Sequence, residues 1–335
     1  DHISLIRHQF MCSNHRASIV ANRVSCSTPA RIGLLGNPSD GYFGACISAP
    51  VWNWQATVTL SPQNADESSY ELPDNSGLKR IMQPTITVFE NHFDRTVSPF
   101  KAEVETTIPY RVGLSGSSAI ETAFMLTLMA FHDIPMNTIS ARELAELVLK
   151  VEAEELGMVA GLQDRLPQAY GCMLHMDFDK ELMTNRGFQD YTELNAENFP
   201  KLWVAHAPSG EDSGKTHSSI AERWQQQDSE MVEIIHHLAE CANEGRQAID
   251  NGDSTSFASL IDTNFDLRLE LFGEEALGDT LDAVKLARSL GSCAKQCGSG
   301  GSIFGIIPNS DFPNMAASAF SEMGWTFHSD IEVVM

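Results

Sequence analysis

Apolar and polar positions alternate in short runs early in the chain and recur at helical spacing later. "PARIGLLG" (29–36) reads as a strand ending in a turn at Asn37-Pro38-Ser39-Asp40. "ACISAPVWNW", "ATVTL" and "KAEVETTI" read as further strands, the last with period-two alternation. Residues 61–84, rich in Ser, Pro, Asn and Asp, read as loop. From Ala119 to Phe131 the chain is apolar almost all round, the mark of a buried helix. Residues 140–156 read as an amphipathic helix opened by Ser140 with Glu143 three positions on, the spacing of a capping box. "CMLHMDF" gives another strand. After Pro200 a strand and loop lead into two long amphipathic helices, about 229–250 and 254–272, and a shorter one near 279–290. Strands gather early and helices late, so the pattern predicts an α+β architecture rather than a regular parallel repeat. A domain boundary falls near 185–200. Residues 1–27 show no clear element and read as an N-terminal extension.

Composition narrows the function classes. The chain has 335 residues, enough for two ordinary domains, and is 42% hydrophobic. Lys plus Arg number 22 against 45 Asp plus Glu, a net charge of -23. That balance argues against nucleic-acid or anionic-membrane partners, which need a basic footprint. The 7 cysteines are odd in number and irregular in spacing, which suits reduced thiols in a cytoplasmic protein. No run approaches the roughly 18 apolar residues of a membrane span. Trp52 and Trp54 read as core or domain-interface residues, and His236 and His237 as partly surface. No HExxH or similar metal-ligand spacing occurs.

Three loops compete as phosphate binders. In "LWVAHAPSGEDSGKTHSSI" (202–220) a Gly-Lys-Thr triplet suggests the nucleotide loop GxxxxGK[ST], but its first glycine would stand at 209, which is Ser209. "GLSGSSA" (113–119) is a stronger candidate: its small residues let a backbone approach a ligand, and a buried helix N-terminus follows. The same composition also makes a tight strand-to-helix turn. "GSGGS" (298–302) precedes the apolar run "IFGII" and is weak alone. Independently, Leu144, Val148 and Glu152 succeed one another at i, i+4 and i+8, which puts an acid on the apolar stripe of the 140–156 helix. An inward carboxylate needs a partner, either Mg²⁺ or a buried cation. Glu155 flanks the same stripe.

Taken in chain order, "PARIGLLGNPSDGYFG" (29–44), "GLSGSSA" and "AKQCGSGGS" (294–302) resemble the three motifs of the GHMP small-molecule kinases, over roughly residues 29–307. The resemblance implies a two-domain fold. An N-terminal α/β domain with the phosphate loop (28–190) would bind ATP, and a ferredoxin-like α+β C-terminal domain (191–335) would follow. It implies ATP with Mg²⁺, and nucleotide contacts from Gly113, Leu114, Ser115, Gly116, Ser117, Ser118, Gly298, Ser299 and Gly300. Asp164 matches the family's catalytic aspartate, though a loop or capping role is the bland alternative. Arg31 matches a basic position of the first motif, suited to neutralising charge on the transferred group. Ser118 and Glu152 would serve the metal. Asp40 matches a position that binds acceptor hydroxyls, with an Asx turn as its alternative.

Longer stretches, "RIGLLGNPSD", "GLSGSSAI", "ELGMVAGLQDR", "DSGKTHS" and "NFDLR", resemble the branch of the family that phosphorylates the anomeric hydroxyl of D-glucuronate. Arg165 and Lys215, the latter expected in a loop, then become candidates for the uronate carboxylate. Other acceptors on the same machinery are galacturonate, galactose, arabinose or a heptose phosphate. A catalytically silent sugar- and nucleotide-binding protein is the reading from another class. The partners implied are a small sugar acid and ATP, acting on a monomer or homodimer. Glu121, in the otherwise apolar 119–131 helix, has no account from sequence.

Overall fold

The computed structural model describes residues 17–20, 22–64, 70–156, 161–189, 191–195, 197, 199–210 and 214–333. Two compact units share the chain. One takes Asp1–Ala30, Trp54–Ile108 and Gly116–Cys172; the other takes Arg31–Asn53, Pro109–Ser115 and Met173–Met335. They interleave because two long strands, β2 (Arg23–Leu35) and β3 (Ala45–Pro62), each pass from one unit into the other. This differs from the single cut expected near 185–200.

In the first unit, β1 (Ala17–Val20) pairs antiparallel with the start of β2, from Ala17↔Cys26 to Val20↔Arg23. Residues 17–27 are therefore largely strand, not a featureless extension; residues 1–16 lie outside the described set. The end of β3 pairs with β4 (Phe100–Thr106), from Ala56↔Thr106 to Pro62↔Phe100. The predicted loop 61–84 also needs correction, because α1 (Ser76–Phe93) begins inside it. Asn75 caps α1 by accepting from the Leu78 N–H at 3.1 Å, and Met82, Ile86 and Phe89 are buried at helical spacing. That apolar face holds the helix despite Pro84 within it.

The second helix, α2 (Gly116–Phe131), is buried continuously from Ser118 to Met129, as its sequence predicted. Phe124 meets Phe100 of β4 edge-on at 6.1 Å. Next comes α3 (Ala141–Lys150), whose Ser140–Glu143 capping box is complete. The chain then widens into a π-helical turn, Val151–Glu155, closed by the Leu156 N–H on the Val151 carbonyl at 3.2 Å. A short helix, α4 (Arg165–Tyr170), ends the unit's last segment.

In the second unit the start of β3 pairs with β5 (Leu174–Asp177), and β5 with β6 (Thr192–Glu193), on either side of α5 (Lys180–Arg186). The first sheet thus runs β1-β2-β3-β5-β6, with β4 also on β3. A second, four-stranded antiparallel sheet has the order β10-β7-β9-β8. Its strands are β7 (Leu202–His206), β8 (Lys295–Gln296), β9 (Ser302–Ile306) and β10 (Thr326–His328). With these go α6 (Gly214–Gln225), α7 (Ser229–Asp250), α8 (Ser254–Phe272), α9 (Glu274–Leu277), α10 (Asp279–Ser289) and α11 (Phe312–Glu322). Asp228 and Asp253 cap α7 and α8 through the N–H groups of Met231 and Ser256. The core gathers on Trp203, which touches Phe312, Phe320 and Phe327 and donates its indole N–H to Ser292 at 2.8 Å. Trp203, Phe312 and Phe320 are fully buried, and each such side chain contributes roughly 1.5–3 kcal/mol.

Candidate active site

The phosphate-loop candidate is a backbone bend fixed by its residue types. Gly113 and Ser115 both hold left-handed conformations (φ 80° and 59°), and α2 starts at Gly116. The first N–H groups of α2 have no partner within the helix and stand at its positive end. Ser117 is exposed and Ser118 is buried.

In the first unit, the chemistry behind that helix start centres on Arg165. Its guanidinium is 2% exposed, forms an ion pair with Glu152 and donates to the Gly161 carbonyl. Glu152 is buried as its stripe position required, and its Oε1 lies 3.5 Å from the Ser117 Oγ. Arg165 also faces Glu121, which is fully buried on α2 with neither carboxylate oxygen hydrogen-bonded among the described residues. Burial raises the Glu121 carboxyl to about 8, and the charge of Arg165 partly opposes that rise. The acid that sequence left unexplained thus lies within the electrostatic reach of the guanidinium that pairs with Glu152. Asp164 directly precedes α4, is half-buried and makes no side-chain capping bond.

In the second unit three cations lie under the first and third motifs. Arg31 is 4% exposed and donates to the Cys297 carbonyl at 2.8 Å, while its backbone N–H bonds Leu114 at 3.1 Å. Lys295 is fully buried and donates to the Gly33 carbonyl (2.8 Å), Asn37 Oδ1 (2.9 Å) and the Gln296 carbonyl (3.0 Å). Burial, then the neighbouring charge of Arg268, pushes the Lys295 ammonium well below the usual lysine range. Arg268 donates to the carbonyls of Asn37 (3.1 Å) and Gly298 (3.2 Å). Burial lowers it to about 10; Asp40 opposes the shift and Arg31 adds to it. Asn264, one turn before Arg268 on α8, accepts from the Gly36 N–H at 2.7 Å. Asp40 is half-buried in the short helical turn Ser39–Tyr42.

The loops of the second and third motifs meet backbone to backbone. A Cβ on Gly298 would fall 2.4 Å from the Gly113 carbonyl oxygen, and one on Gly113 would fall 2.8 Å from that of Gly300. No side chain fits there, which is why glycine stands at these positions. The Ser302 hydroxyl adds a further tie, donating to the Val112 carbonyl at 2.7 Å. Arg31, Asn37, Gly113, Arg268, Cys297 and Gly298 are thereby tied together across more than 260 positions, as the Arg31–Cys297 separation of 266 shows.

Other expectations are placed differently. Lys215 is the second residue of α6, not a loop residue. Gly210, part of the near-miss nucleotide loop, packs its Cα against the Arg111 carbonyl, where a Cβ would lie 1.8 Å away. Arg165, a candidate for the uronate, is engaged by Glu152. Lys295, within "AKQCGSGGS", and Arg268, within "NFDLR", are site residues not expected from sequence. The signal was available for Asn264 and Arg268, whose i, i+4 spacing puts two polar groups on one helix face. Among the described residues no group of three or more His, Cys, Asp or Glu could hold a metal ion.

The family model for the GHMP kinases N terminal domain matches residues 79–172. Glucuronokinase 1 of Arabidopsis thaliana is 36% identical over 304 residues, 83% of each chain. Probable glucuronokinase 2 of Arabidopsis thaliana is 36% identical over 305 residues, again 83% of each chain. The structure of Lactococcus lactis galactokinase complexed with galactose is alike in fold, with a TM-score of 0.76 at 14% identity over 94% of both chains. With its three motifs in order and these relatives along most of its length, the chain belongs to the GHMP kinase family.

Proposed function

We propose that this protein is an ATP-dependent sugar kinase that phosphorylates the anomeric hydroxyl of D-glucuronate, giving glucuronate 1-phosphate and ADP. The observation that carries the kinase reading is the convergence of Arg31, Gly113 and Gly298, from three distant motifs, on one set of backbone contacts. The choice of glucuronate rests on the 36% identity to the two Arabidopsis thaliana relatives and on what their names say they phosphorylate.

The loop 113–118 and the first N–H groups of α2 bind the phosphates of ATP. The residues fit a divalent cation: Glu152 pairs with Arg165 through Oε2, which leaves Oε1 on the side of the Ser117 hydroxyl, a hard oxygen donor set. Glu152, with Ser117 or Ser118, would hold Mg²⁺, which when bound neutralises charge on the phosphates. The anomeric oxygen attacks the γ-phosphorus as the bond from that phosphorus to the bridging oxygen breaks and ADP leaves. Asp164 orients the attacking hydroxyl and accepts its proton. Arg31 neutralises charge on the transferred group. Asp40 receives acceptor hydroxyls and Lys215 receives the carboxylate, while Arg165 serves Glu152. The reading includes a cytoplasmic setting, supported by the odd number and irregular spacing of the 7 cysteines.

The test is ³¹P NMR of the reaction of purified protein with Mg²⁺-ATP and D-glucuronate, beside an Asp164→Asn variant. We expect ADP and an anomeric phosphate monoester, with the rate lowered about 10²–10⁴-fold in the variant. Nucleotide binding without turnover on any sugar would instead support the silent binding protein.

A further inference from the structure

We infer that His206 and His328 form a binding site for a divalent transition metal such as Zn²⁺, separate from the proposed kinase chemistry. His206 ends β7 and His328 ends β10; the strands pair antiparallel with Thr326 opposite His206 and His328 opposite Val204. The two histidines are thus diagonal neighbours on one face of the sheet. Their Nε2 atoms lie 3.4 Å apart and their ring centroids 5.4 Å apart. The centroids are 2.0 Å farther apart than the nitrogens, so the Nε2 corners point at each other.

Two magnitudes decide what that geometry suits. A nitrogen donor in a good hydrogen bond lies within about 3.2 Å of its acceptor, so 3.4 Å is long for a His–His bond. Two histidine nitrogens each about 2.05 Å from one tetrahedral metal lie about 3.3 Å apart, close to the observed spacing. The tautomer also suits a ligand. The His206 Nδ1 is 2.8 Å from the Ala207 carbonyl, which can only accept, so Nδ1 carries a proton and, in the neutral ring, Nε2 has the lone pair. A ring N–H held by a carbonyl is the outer support that metal-ligating histidines commonly have. Both rings are only partly buried, which leaves room for water to complete the coordination.

Mg²⁺ prefers oxygen ligands and does not suit two imidazoles. The site bears on the glycine loop as well. Ala207, whose carbonyl receives the His206 N–H, donates its own N–H to the Gly301 carbonyl at 2.8 Å. A bound metal therefore clamps β10 to β7 next to the third motif.

The experiment is titration of the untagged, metal-stripped full chain with Zn²⁺, followed by calorimetry and thermal melting, beside His206→Gln and His328→Gln. Mg²⁺ serves as the control ion. We expect one Zn²⁺ equivalent in the parent that each variant loses or binds about tenfold or more weakly, with a zinc-dependent rise in Tm confined to the parent. Two variants on different strands guard against one that fails to fold; melting without metal reports that directly. Equal zinc binding by parent and both folded variants overturns the inference, as does an absence of zinc uptake by the parent.

Discussion

Replacing Glu121 by glutamine preserves the side chain's shape and abolishes its ionisation. In the parent the carboxyl is fully buried, neither oxygen is hydrogen-bonded among the described residues, and burial raises it from 4.5 to about 8. A carboxyl that holds its proton more tightly folded than unfolded supports the fold at low pH. That support is lost as pH rises, beginning near 4.5, where the unfolded chain ionises, and ending near 8, where the folded chain does. At about 1.4 kcal/mol per pK unit, the loss between pH 5 and 9 amounts to about 4 kcal/mol. The glutamine variant lacks this loss. Urea unfolding of both proteins at pH 5, 6, 7, 8 and 9 measures it, because titrations common to both cancel in the difference. The variant's advantage should grow by about 1.4 kcal/mol per pH unit between 5 and 8 and then level off. A difference that stays constant across that range would refute the account of Glu121 as a proton-holding acid beside Arg165.

Two further substitutions test the site's framework. Gly298→Ala places a methyl 2.4 Å from the Gly113 carbonyl oxygen, so the two loops must separate. We expect KM for ATP to rise about tenfold or more with a smaller change in KM for the sugar, read by steady-state kinetics. Arg165→Met leaves Glu152 as a buried charge without its ion-pair partner. Urea unfolding at pH 7 should show a loss of about 3–5 kcal/mol, and an unchanged midpoint would contradict the structural role given to the pair.

Local signals carried well from sequence to structure. The Ser140–Glu143 capping box needs only four residues to be seen, and it formed. The apolar run Ala119–Phe131 became the buried helix it predicted. Glu152 was placed inward by period alone, although the π-helical turn Val151–Glu155 shifts the register by one residue. The helix Ser76–Phe93 was hidden because Pro84 and a polar start outweighed the buried Met82, Ile86 and Phe89. Tertiary packing overrode propensity there. What sequence could not show was pairing at a distance. The ion pair that Glu152 makes with Arg165 lies 13 positions away along the chain. The Lys295–Gly33 bond joins residues 262 positions apart, which no local pattern encodes.

The most direct test of the central claim is the ratio of kcat/KM for D-glucuronate to that for D-glucose, measured by ADP release with saturating Mg²⁺-ATP. The two acceptors differ only in a carboxylate against a hydroxymethyl group, so the ratio reports whether a cation in the site is built for the acid. A uronate kinase should favour glucuronate by about 10²-fold or more, because the neutral sugar leaves that cation without its partner. A ratio near one, or a preference for glucose, would contradict the assignment of the substrate.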